Sequence, residues 1–82
     1  MSSKPRKITD LLQDPVACYN ARRDAGMSQM EAGKASGLSD ATVCRIENGQ
    51  VSPHPSSLRA LAKAYGCEYQ KLLRKSHRRA AA

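Results

Sequence analysis

The stretch SQMEAGKASGLSDATVCRIENG, residues 28–49, constrains the fold more than any other part of the chain, because it carries start and stop signals for two short, closely spaced helices. Ser28 and Glu31 have the spacing of a capping box, in which a serine hydroxyl and a glutamate carboxylate satisfy free amide donors at a helix start. A helix therefore begins at about Gln29. Gly37 can take the left-handed backbone conformation that ends a helix, and Ser39 can cap the next one after a single intervening leucine. The second helix is expected over about Asp40 to Asn48.

At the helical period of 3.6 residues, Val43 and Ile46 fall on one side of this second helix, to be buried, while Ala41, Arg45 and Asn48 fall on the other. That outer face is small and polar. Arg45 has the reach and geometry to pair bidentately with guanine, and Ala41, one turn earlier, leaves room or touches a thymine methyl. An ordinary solvated arginine fits the same position. Two short helices joined by a tight glycine-containing turn form a helix-turn-helix, whose second helix lies in the major groove of DNA.

On these residues the chain resembles the repressor and Cro (XRE) family of helix-turn-helix proteins. The resemblance spans about Val16 to Leu73 and rests on Ser28-Gln29, Leu38-Ser39 and Arg45-Ile46-Glu47-Asn48-Gly49 in that order. It implies an all-α fold, a compact lambda-repressor-like bundle of about five short helices. It also implies a sequence-specific transcriptional regulator, a repressor in the first instance, that binds double-stranded DNA as a homodimer through its C-terminal helix region. Asp40, Ala41, Thr42 and Arg45 take the base-contacting positions of the family; Ser28, Gln29, Asn48, Gln50 and Ser52 take phosphate-contacting ones. Asp40 could accept from cytosine N4 or simply favour the helix dipole, and Thr42 could meet a thymine methyl or a phosphate. Arg22 and Glu47 stand where the family has a structural salt bridge between its first helix and the end of the recognition helix. Ala32, Gly33 and Ser36 depart from the family's pattern in the first helix of the motif, where aliphatic residues are usual near positions 32 and 36. Glycine at 33 permits close helix approach at a cost of about 1 kcal/mol relative to alanine.

The rest of the chain follows from caps and stripes. Residues 1–7 contain Lys4, Arg6 and Lys7 and read as a flexible basic arm, suited to phosphates, to a minor groove, or only to solubility. Residues 8–75 form the DNA-binding domain. Ile8 to Gln13 suggests one short helical turn. Asp14-Pro15 opens the next helix, with aspartate as cap and proline at the first position, running to about Asp24. The resemblance makes Cys18 and Ala21 the inward positions of this helix, where the family usually has bulkier aliphatics, and so implies that Ile8, Leu11, Leu12 or Val16 fills the missing volume. Pro55 starts a further helix with an apolar stripe of Leu58, Leu61, Ala62 and Tyr65 that ends at Gly66. A last helix from about Glu68 buries Tyr69, Leu72 and Leu73. Residues 76–82 make a basic tail.

Composition narrows the function classes. The 82 residues suffice for one domain, and with no Phe or Trp and 3 Tyr the core must rest on aliphatic residues. Lys and Arg number 14 against 7 acidic residues, a net charge of +7 that favours polyanions. A bilayer surface is the poorer match, since no apolar run approaches a spanning length. The basic N-terminus is not followed by an apolar signal-peptide core, and three scattered cysteines without zinc spacing suit a reducing cytoplasm. No cofactor, metal or catalytic constellation is expected, so the chain is not expected to be an enzyme. Two other roles share the motif: an antitoxin that also captures a partner protein, and an interaction adaptor that has lost DNA recognition.

Overall fold

The computed structural model of the chain describes residues 11–78. The basic arm, Ile8, Thr9 and the last four residues lie outside that range. Five helices follow in order: α1 (Pro15–Asp24), α2 (Gln29–Ser36), α3 (Asp40–Glu47), α4 (Pro55–Tyr65) and α5 (Tyr69–Leu72), with a 3-10 turn at Lys75–His77. Each longer helix starts where a side chain satisfies its free amides. The Asp14 carboxylate accepts from Ala17 N at 3.1 Å, and Pro15 occupies the first turn of α1. Both halves of the Ser28–Glu31 capping box are formed. Ser39 Oγ accepts from Thr42 N at 3.0 Å to open α3. The start of α4 has a cap that the sequence did not suggest: His54 Nδ1 accepts from Ser56 N at 3.1 Å.

The helices enclose an aliphatic core to which α3 contributes Val43 and Ile46 and α4 contributes Leu58 and Leu61, with Cys18, Ala21 and Ala32 as its small members. Of the residues expected to fill the volume beside the small Cys18 and Ala21, Leu11 is fully buried and Leu12 packs against the core. Val16, one candidate for that volume, is 66% exposed instead. Burial of the Cys18 side chain disfavours its charged form and pushes the thiol up to about 12, so it serves as a small apolar filler.

The expectation of a helical turn over Ile8 to Gln13 is corrected within the described residues. Leu11 to Gln13 is not helical; Gln13 forms an isolated antiparallel bridge with Leu73. Asp14 N donates to Leu72 O at 2.8 Å and Arg74 N to Leu12 O at 3.0 Å. Proline at 15 disfavours the helical region for the residue before it, and Asp14 is indeed extended, with φ −93 and ψ 109. The same pairing shortens the last helix. α5 is a single turn because Leu73 leaves it in extended backbone, φ −81 and ψ 150, to meet Gln13.

Candidate nucleic-acid interface

Gly37 sits in the left-handed region at φ 80, and the two residues after it bring the chain directly into α3. The turn lies tight against α2. A Cβ on Gly33 would fall 2.6 Å from Leu38 O and 3.1 Å from the Ser39 carbonyl carbon, so the crossing of α2 and α3 requires glycine there. Leu38 N donates to Gly33 O at 2.8 Å, which fixes the turn to the same residue. Ser36, in an aliphatic position of the family, turns its hydroxyl back to Ala32 O at 2.7 Å and needs no partner outside the helix.

With Val43 and Ile46 wholly buried, the opposite face of α3 presents Asp40, Ala41 and Arg45 to solvent. Among the described residues no side-chain hydrogen bond or ion pair engages the Arg45 guanidinium. Asp40 Oδ1 accepts from Ala41 N at 3.0 Å, a contact at the helix's own amino end. Thr42 is half-buried and shares a hydrogen bond of 2.8 Å with the Ser39 hydroxyl. Its hydroxyl is thus engaged at the helix's own amino end.

The flanking polar residues fall at two helix ends. At the start of α2, Ser28 N donates to Glu31 Oε1 at 2.8 Å, and that bond holds the Glu31 carboxyl below the ordinary carboxylate range. Gln29 Nε2 donates to Glu47 Oε1 at 3.1 Å. The same carboxylate receives Arg22 Nε at 2.6 Å and Arg22 Nη2 at 3.0 Å, while Arg22 Nη1 donates to Met27 O at 2.8 Å. Hydrogen bonding to Glu47 pushes the Arg22 guanidinium up against the opposing effect of burial. Three helices are thereby tied at one carboxylate: α1 through Arg22, α2 through Gln29 and α3 through Glu47.

Beyond α3, Asn48 Nδ2 donates to Cys44 Sγ at 3.3 Å, and Gln50 is exposed. Ser52 Oγ accepts from Leu12 N at 2.9 Å, so one of its lone pairs is engaged with the N-terminal segment while its own O–H remains to donate. Gln13 is the residue that sequence reasoning missed. It is fully buried, and its Nε2 donates to Ile46 O at 3.0 Å and to Val51 O at 2.8 Å. No local signal marks it, since a glutamine between a leucine and a helix cap reads as a solvated turn.

Residues 20–74 match the family model described as a helix-turn-helix domain, and the chain belongs to that family. Its neighbours among solved structures place it in the repressor/Cro branch. It is similar to the P22 c2 repressor protein in complex with a synthetic operator: 27% identity, 73% of this chain and 91% of that one, TM-score 0.69. It is similar also to the restriction-modification controller protein C.AhdI from Aeromonas hydrophila: 27% identity, 80% and 96% coverage, TM-score 0.73. A hypothetical transcription factor from Neisseria, NHTF, aligns at 26% identity over 90% of this chain and 86% of its own, TM-score 0.66. No curated protein matches the chain. Family and fold are those of DNA-binding transcription regulators, not of enzymes. Among the described residues no helix is long and apolar enough to cross a membrane.

Proposed function

We propose that the chain is a sequence-specific transcriptional repressor that sets α3 in the major groove of an operator as a homodimer. The observation that carries this reading is the exposed Asp40, Ala41 and Arg45 face of a helix whose other side is locked by Val43 and Ile46. A guanidinium held on a rigid helix, with no internal partner, suits recognition of guanine O6 and N7. Ala41 and the Thr42 methyl supply apolar contact, and Asp40 an acceptor for cytosine. Ser28, Gln29, Asn48, Gln50 and Ser52 then hold phosphates, which fix register without reading sequence. Similarity to the P22 c2 repressor, solved in complex with a synthetic operator, supports the reading that this chain binds operator DNA.

The C-terminal helix region supplies the dimer contact. Leu72 and Leu73 are buried in the protomer's own core, so the contact would use the more accessible Glu68, Tyr69 and Lys71. Selection of bound sequences from random duplex DNA, followed by titration at several salt concentrations, tests the proposal. The expected product is an inverted repeat whose half-sites lie about 34–36 Å apart, bound far more tightly than random DNA. Binding without sequence enrichment, vanishing as salt rises, would leave only the attraction of a +7 chain for a polyanion and would sink the reading.

A further inference from the structure

Gln13 is a buried polar side chain whose carbonyl oxygen, Oε1, has no hydrogen-bond partner among the described residues. An unpaired buried acceptor is costly, and methionine or leucine would fill similar space without it. What those side chains lack is the amide group. Both N–H bonds of Gln13 are used, one on Ile46 O in the last turn of α3 and one on Val51 O in the loop beyond it.

The groups around Gln13 converge on the same place. Gly49 takes φ 72, and the helix end is closed by bonds from Gln50 N to Arg45 O at 2.9 Å and from Gly49 N to Ile46 O at 3.3 Å, the paired pattern of a glycine-terminated helix. A Cβ on Gly49 would stand 3.4 Å from both Leu11 Cδ1 and Pro15 Cγ, so the N-terminal segment packs directly against that turn. Leu12 N reaches Ser52 Oγ at 2.9 Å. The segment from Leu11 to Pro15 thus holds the exit from α3 at Ile46, Gly49, Val51 and Ser52. It lies entirely before residue 20, where the match to the family model begins.

We infer that Gln13 is a positioning residue for DNA binding: it fixes the end of the recognition helix and the following loop so that Gln50 is presented to a phosphate. The role rests on the reading of that loop as a phosphate contact. Gln13 itself stays buried and touches no DNA. A side chain with two donors can hold both carbonyls, which methionine and leucine cannot.

Gln13→Met is the direct test, studied at a temperature where circular dichroism shows the variant folded. Amide exchange at Gly49 and Gln50 should quicken about tenfold relative to Val43 and Leu61, because both bonds that hold the end of α3 and the loop are lost. Unchanged exchange overturns the inference. On the selected duplex, Gln13→Met should bind roughly tenfold more weakly, whereas in a Gln50→Ala background the same substitution should cost less than about twofold. Equal losses in both backgrounds would mean that Gln13 acts elsewhere. Gln13→Glu is the graded second variant: ionised, it opposes both carbonyls; protonated, it donates to one of them, so its losses should shrink as pH falls. Absence of any sequence-selective binding by the unaltered chain would overturn the DNA reading and this role with it, while the exchange rates would still report whether Gln13 holds the loop.

Discussion

Arg22 and Glu47, 25 residues apart in the chain, meet through two hydrogen bonds of 2.6 and 3.0 Å with side chains only 10% and 4% exposed. The pair joins α1 to the last residue of α3, and Gln29 adds α2 through the same carboxylate. Removing one partner strands a buried charge, which typically costs about 3–5 kcal/mol. That is a large part of the roughly 4–12 kcal/mol expected for a domain of this size. Arg22→Met and Glu47→Leu should each lower the denaturant midpoint severely, and the double variant should be more stable than the sum of the two losses implies. Strict additivity in chemical denaturation would mean that the two residues stabilise the fold independently.

Gly33 makes a second prediction, in which two opposing effects must be weighed. Alanine is the better helix former by about 1 kcal/mol. Its Cβ, however, would stand 2.6 Å from a backbone oxygen, Leu38 O, which cannot swing aside as a flexible side-chain end would. Overpacking of this kind costs about 1–3 kcal/mol, so Gly33→Ala should be destabilising on balance, lowering Tm by several degrees. A rise in Tm would show that the turn between α2 and α3 yields easily and that helix propensity decides.

These two positions also show what was legible in the sequence. Gly33 was readable as a site of close approach because the signal is local: glycine inside a short helix beside a tight turn. The caps at Asp14, Ser28 and Ser39, and the glycine stops at 37 and 66, announce the helices for the same reason, since each acts on amides or carbonyls within one helical turn. The burial of Val43 and Ile46 and the exposure of Arg45 follow from periodicity. The pairing of Gln13 with Leu73 does not, because nothing near either residue names its partner. Ile8, Leu11 and Leu12 at helical spacing point to a turn of helix; over Leu11 to Gln13 pairing with the C-terminal segment prevails, since the extended path satisfies backbone groups and buries Leu11 together. Arg22 and Glu47 were matched by family resemblance, not by any pattern between them. The engagement of Ser52 with Leu12, 40 residues earlier, had no sequence signature at all.

The capping box gives a pH prediction. The Ser28 backbone bond holds the Glu31 carboxyl below its ordinary range, so the folded state favours the ionised form more than the unfolded chain does. Stability from this group is therefore fully present above the ordinary glutamate value and is lost as pH falls through the lowered one. Between about pH 6 and pH 3, Glu31→Gln should show a flatter decline of Tm than the unaltered chain, the two curves approaching each other at the acid end. Parallel curves over that range would show that the acid sensitivity arises at other carboxylates. Glu31 is fully exposed, so salt should weaken the effect.

Arg45 separates recognition from stability. Its side chain is exposed and, among the described residues, has no internal partner, so Arg45→Ala should leave Tm nearly unchanged, within about 0.5 kcal/mol of stability. On DNA the same substitution should cost about 1–3 kcal/mol at one base pair and relax discrimination there, leaving preferences at other positions intact. Arg45→Lys keeps the charge but loses the two-pronged donor geometry, and should retain most of the salt dependence while losing much of the guanine preference. Titration of both variants against the selected duplex and its single-base variants measures this directly. A loss spread evenly over all sequences would place Arg45 on the phosphate backbone and pass the reading of bases to Asp40, Ala41 and Thr42.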